Sequence, residues 1–151
     1  MEKSLNSNFP RIIQNIIADS VELEIGIAKN RALLENLFSI FVCLNTKIPL
    51  FIIGKPGSSK SLSSQLIFKS MNGKDSFNEF FRYFPKVYTK SYQGSLTSNS
   101  KGVLKIFQKA RKSLEDKNLQ NEIISSIYFD EMGLAEISKN NPLKVIHSQL
   151  E

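Results

Sequence analysis

Ile48-Pro-Leu-Phe-Ile-Ile53, running straight into Gly54-Lys-Pro-Gly-Ser-Ser-Lys-Ser61, is the stretch whose reading decides the fold. An apolar run that breaks into a loop of small residues ending in Lys-Ser predicts a strand, a tight turn and a helix start. Leu50–Ile53 is expected as a short strand buried on both faces of a parallel sheet. The loop after it has the composition of a phosphate cradle. Its backbone N–H groups converge on an anion, and the next helix adds the positive end of its dipole. Gly54, Lys55, Pro56, Gly57, Ser58 and Ser59 form that candidate cradle, Lys60 brings a mobile charge, and Leu62 follows in the new helix. Ser61 would place its hydroxyl on a magnesium ion. One position departs from the usual G-x-x-x-x-G-K-[ST] pattern, since Ser59 stands where glycine normally relieves crowding.

A second constellation lies some seventy residues on. Ile123–Phe129 is an apolar run that ends directly in Asp130-Glu131. Alone, that pair reads equally as an acidic helix entry or a solvated turn. Beside a phosphate loop it supplies what nucleotide hydrolysis requires: one carboxylate to hold the metal and another to orient or deprotonate water. Asp130 suits the first task and Glu131 the second.

Outward from these motifs, the pattern alternates strands and helices. A helix is expected from Pro10 after eight loose polar residues, and another from Ala28 to before Pro49. A third starts near Lys60 with Gly73 as a plausible stop. Asn72–Pro85 reads as irregular, its phenylalanines forming a small hydrophobic plug. Val87–Tyr92 is a strand, Gly94–Ser100 a polar turn, Gly102–Leu114 a helix with a basic outer face, and Glu115–Asn121 a charged loop. Gly133–Asn141 is expected as a loop and Pro142 as the start of a last helix. The fold class is α/β with a parallel sheet, and both motifs fall at carboxyl ends of strands, where ligands of such sheets bind.

Composition narrows the function classes. A chain of 151 residues with 41% apolar and 23% charged content is that of an ordinary globular domain. Its net charge of +6 comes from scattered lysines, so no nucleic-acid partner is expected. The single Cys43 excludes an internal disulfide and a multi-cysteine zinc site, and is expected as a buried thiol. His147 has no neighbouring ligand residue in sequence and reads as a surface or packing group. No secretory leader or membrane-length apolar run is present in this sequence, which reads as soluble and cytoplasmic.

At these residues the sequence resembles the AAA+ branch of the P-loop ATPases, with Gly54–Ser61 as Walker A and Ser126–Glu131 as Walker B. Within that branch it is similar to the AAA+ modules of the mysterin-type giant ubiquitin ligases, which also carry a RING finger. IAKNRALLENLF (Ile27–Phe38), KIPLFIIGKPGSSKSL (Lys47–Leu62), FDEMGLAE (Phe129–Glu136) and NPLKVIHSQLE (Asn141–Glu151) carry the likeness. The Ser-Ser-Lys-Ser ending is similar to the mysterin form, which makes Ser59 a family mark.

The resemblance implies ATP and Mg2+ as ligands. Lys60 and Ser61 would contact phosphate and metal, Asp130 the metal, and Glu131 would activate water. Ile25–Ala28 would lie near adenine. It further implies a partial ATPase core at 25–151, ending before the sensor strand and lid, which leaves 1–24 as the N-terminal helical segment read from its spacing. Partners would be neighbouring AAA+ modules of a parent chain, with ubiquitin machinery reached through domains absent from this sequence. An open sheet of that kind should be poorly stable alone. A non-catalytic scaffold with a degenerate site is the alternative from another class. A small nucleotide kinase fits poorly, because Arg11, Arg31, Arg82 and Arg111 form no lid-like cluster.

Overall fold

The computed structural model describes residues 2–114, 123–140 and 142–150. The chain divides into two compact units, Met1–Lys86 and Val87–Glu151. The expected charged loop at Glu115–Asn121 lies outside the described residues.

The first unit is helical. Helix α1 spans Glu2–Ser20, so residues 2–8, expected to be loose, are part of a helix that continues through Pro10. Its contribution to the core comes from Ile17 and Ala18, both buried. Helix α2 spans Arg31–Thr46 and starts where Asn30 accepts a hydrogen bond from the Leu33 N–H at 2.9 Å. That cap, not Ala28, sets the helix start. At the other end Lys47 turns left-handed at φ 57°. Its N–H bonds to the Leu44 carbonyl, and the Ile48 N–H reaches back to the Cys43 carbonyl at 3.0 Å. This is a Schellman closure with lysine in the place usually taken by glycine. It ends the helix at Thr46, three residues before Pro49.

Helix α3, Lys60–Ser70, packs against α2, and α2 against α1. Leu33, Leu37 and Ile67 are fully buried between these elements, as expected from their helical spacing. The helix stops at Ser70, and Gly73 instead opens a short 3₁₀ turn, Gly73–Asp75, at φ 62°. Helix α4 is a single turn, Glu79–Arg82. The predicted plug exists here: Phe41 meets Phe80, Phe81 and Phe84 with ring centroids 5.7, 6.0 and 4.7 Å away. Phe77 and Tyr83 stay outside it, exposed. Cys43 is only half-buried, because it lies beside rather than on the buried stripe of α2.

One expectation fails clearly. Leu50–Ile53 is not a buried strand. These residues are irregular and pair with nothing in the described sheet, and Phe51 and Ile53 are 77% and 96% exposed. Apolar side chains favour a strand only where another strand offers ladder partners and a covered face.

The second unit is α/β. Strand β1, Lys86–Gln93, and strand β2, Ile123–Asp130, form a two-stranded sheet. The strands are parallel, with the residue after β1, Gly94, donating to the carbonyl of the last residue of β2, Asp130, at 2.8 Å. Helix α5, Ser100–Lys112, lies in sequence between them and is capped by Asn99, which accepts from the Gly102 N–H. It packs on β2 through Phe107 against Phe129. The Ser125 hydroxyl also donates to the Ala110 carbonyl at 2.8 Å. Where a loop was expected after Asp130-Glu131, helix α6 spans Met132–Glu136. Helix α7, Leu143–Leu150, packs on α5, joined there by a 2.9 Å bond from Arg111 to Gln149.

Leu37→Ala removes a fully buried side chain from α2 facing a tightly packed core. It should destabilise the chain by about 2–5 kcal/mol, measured as a fall in denaturation midpoint.

Candidate functional site

The phosphate-loop candidates lie together in the first unit. Gly54, Lys55, Pro56 and Gly57 are exposed, while Ser58, Ser59, Lys60, Ser61 and Leu62 are half-buried as the chain enters α3. Gly57 adopts φ 78°, a conformation open to glycine at no steric cost. A Cβ at Gly54 would stand 2.8 Å from the Ser58 hydroxyl, which would have to rotate away.

Lys60 folds back over the loop. Its Nζ donates to the Gly54 carbonyl at 2.7 Å, the Lys55 carbonyl at 2.8 Å and the Ser58 hydroxyl at 3.2 Å. The ammonium therefore sits inside the curl of its own loop. Asn36 of α2 ties that curl down, its amide donating to the Ser58 carbonyl at 2.9 Å.

Ser59 explains why glycine is usual at its position. It is left-handed, φ 58°, at the entry to α3, and its side chain makes no capping bond. A non-glycine residue there costs about 1–2 kcal/mol. Its carbonyl is well used, accepting the Ser63 N–H at 2.9 Å and the Ser63 hydroxyl at 2.6 Å. Ile25–Ala28 is an irregular segment between α1 and α2, with Ile25 fully exposed.

Asp130 and Glu131 lie together in the second unit, at the carboxyl end of β2. The Asp130 Oδ1 accepts the Glu131 N–H at 3.0 Å. Glu131 is left-handed at φ 51° and exposed, so its carboxylate leaves the line of the strand. Two residues that the sequence reading did not assign to the site shape it. The Gln93 amide donates to Glu131 Oε2 at 2.6 Å. Gly94 passes so close that a Cβ would meet the Glu131 carbonyl oxygen at 2.4 Å. Their signal was available, because Gln93-Gly94 ends the strand next to β2, and carboxyl ends of neighbouring parallel strands share one rim.

His147 is exposed on α7. Among the described residues no group of three His, Cys, Asp or Glu side chains could hold a metal ion by itself.

Ser59→Gly should remove the left-handed strain and raise thermal stability by up to about 1 kcal/mol. Gly94→Ala should displace Glu131 or break the Gly94–Asp130 bond, lowering stability by about 1–3 kcal/mol. Loss of the Glu131 side-chain contact to Gln93, followed by amide NMR, reports which of these occurs.

Comparison with known proteins gives the family of the chain. The profile described as RNF213 AAA domain matches residues 26–151. The human E3 ubiquitin-protein ligase RNF213 is 41% identical over 138 residues, 91% of this chain and 3% of the human protein. Its mouse counterpart is 38% identical over 139 residues, 92% of this chain and 3% of that protein. The zebrafish (Danio rerio) ligase rnf213-beta is 40% identical over 138 residues, 91% of this chain and again 3% of its relative. The chain thus spans about one thirtieth of the length of the curated relatives it matches. By the profile and by these identities, the chain belongs to the RNF213 AAA domain family.

Proposed function

We propose that this chain is an ATP-binding and ATP-hydrolysing AAA+ module. The observation that carries the reading is the Lys60 ammonium, held within its loop by two backbone carbonyls and the Ser58 hydroxyl. Those oxygens keep the charge at the mouth of the loop without neutralising it by a carboxylate. An incoming polyphosphate would exchange with neutral partners, which is less costly than breaking an ion pair.

Gly54–Leu62 would cradle the phosphates, Gly57 and Gly54 by leaving the backbone bare, Lys60 by its charge. Ser61 and Asp130 would hold magnesium, which when bound neutralises the charge that develops on the phosphates. Glu131 would accept the proton of the attacking water. Gln93 supports that role, since its amide bonds one carboxylate oxygen and leaves the other for water.

The relatives bear the name E3 ubiquitin-protein ligase. We place this module in a longer protein of that type, working beside neighbouring AAA+ modules, with ubiquitin transfer belonging to other parts. Among the described residues no helix is long and apolar enough to cross a membrane. Cytoplasmic work in the absence of a nucleic-acid partner fits the scattered charge.

Two variants test the reading. Lys60→Ala should abolish saturable binding of a fluorescent ATP analogue with magnesium. In a longer chain that includes the sensor strand and lid, Glu131→Gln should keep binding and lower ATP turnover by about 10²–10⁴-fold. Turnover equal to the parent would remove Glu131 from its role. Failure of the parent to bind nucleotide would favour a non-catalytic scaffold module instead.

A further inference from the structure

Polar side chains on α2 form hydrogen bonds in two different ways. Ser39, Asn45 and Thr46 donate to the carbonyls of Glu35, Phe41 and Val42, each four residues back in the same helix. That is the local choice for short polar residues in a helix. Asn36 instead sends its amide across 22 residues of sequence to the Ser58 carbonyl, at 2.9 Å. Its place on α2 gives it that reach. Asn36 is half-buried, and its neighbours on the helix, Leu33 and Leu37, are fully buried in the core of the first unit, where α2 packs on α3.

The bond fixes the direction of a peptide as well as the position of a loop. In a planar trans peptide the N–H points opposite to the carbonyl. The described residues contain no cis peptide bond. With the Ser58 carbonyl turned towards α2, the Ser59 N–H is therefore turned away from it. Among the described residues that N–H takes part in none of the backbone bonds of the loop. Gly57 and Ser59, on either side of Ser58, are both left-handed, at φ 78° and 58°. Turns of this kind present successive N–H groups to an anion.

We propose that Asn36 is a positioning residue for the nucleotide: its amide holds the Ser58 carbonyl so that the Ser59 N–H is aimed at a phosphate oxygen. The proposal rests on the ATP-binding reading of Gly54–Ser61. On that reading Lys60 exchanges its bonds to Gly54, Lys55 and Ser58 for the phosphates. The Asn36 bond does not involve Lys60, so it persists while the rest of the loop changes partners. A donor held in place beforehand costs no reorganisation when the charge arrives. Without Asn36 the Ser58–Ser59 peptide is free to rotate, and its N–H must be ordered by the nucleotide itself.

Mg-ATP binding is measured with a fluorescent analogue on the parent chain and on Asn36→Leu, which keeps the size of the side chain and removes the donor. Asn36→Ala is the second variant, and circular dichroism checks the fold of each. Loss of one hydrogen bond should weaken binding about 3–10-fold. On saturation with Mg-ATP the Ser59 amide proton of the parent should move downfield in the NMR spectrum, and this movement should shrink in both variants. Weaker binding with an undiminished Ser59 movement would overturn the proposal, because Asn36 would then only anchor the loop. Failure of both variants to fold would overturn it for the same reason. A parent that binds no nucleotide overturns the ATP-binding reading and this proposal together. A parent that binds, matched in affinity by both variants, overturns this proposal alone.

Discussion

The left-handed turn at Ser59 is the constraint on which the first unit depends. It converts an exposed, irregular segment into α3 within one residue, and so decides where the Lys60 ammonium can go. The strain of a serine at φ 58° is offset locally. Its carbonyl accepts two bonds from Ser63, and the preceding carbonyl is held by Asn36 from α2. The loop is thus anchored on both sides of the strained residue. The burial of Leu33, Leu37 and Ile67 between the helices then fixes α2, which carries one of the two anchors. Packing in the helical core and geometry in the loop form one continuous argument.

The second unit reaches a similar end by other means. Here the positioning comes from a sheet rather than a helix pair. Parallel pairing of β1 and β2 brings Gln93 beside Glu131, and the left-handed backbone at Glu131 turns its carboxylate out of the strand. Both motif ends therefore rely on a non-glycine residue at positive φ, the less common choice for such a conformation.

Much of this was legible in the sequence because it depends on local chemistry. The spacing of Leu33, Leu37 and Phe41 announced the core face of α2, and Ile123–Phe129 announced β2. The loop and the Asp-Glu pair stood out because few functions require those residues after apolar runs. Leu50–Ile53 was misread because its strand character depends on partners that the segment itself does not encode. The start of α1 at Glu2 was missed because Pro10, a good first-turn residue, can also sit in a helix when the preceding turn adjusts. Gln93 was passed over for a different reason. Its role exists only once two strands distant in sequence are paired.

Gly94 links these observations to motion. Its α-carbon lies against the backbone carbonyl of Glu131 with no room for a methyl group, while its N–H is bonded to the residue before. Two strand ends in such contact cannot slide past one another independently. A side chain at position 94 would push directly on the Glu131 peptide, so the spacing of the two strand ends beside the acidic pair is set by backbone alone.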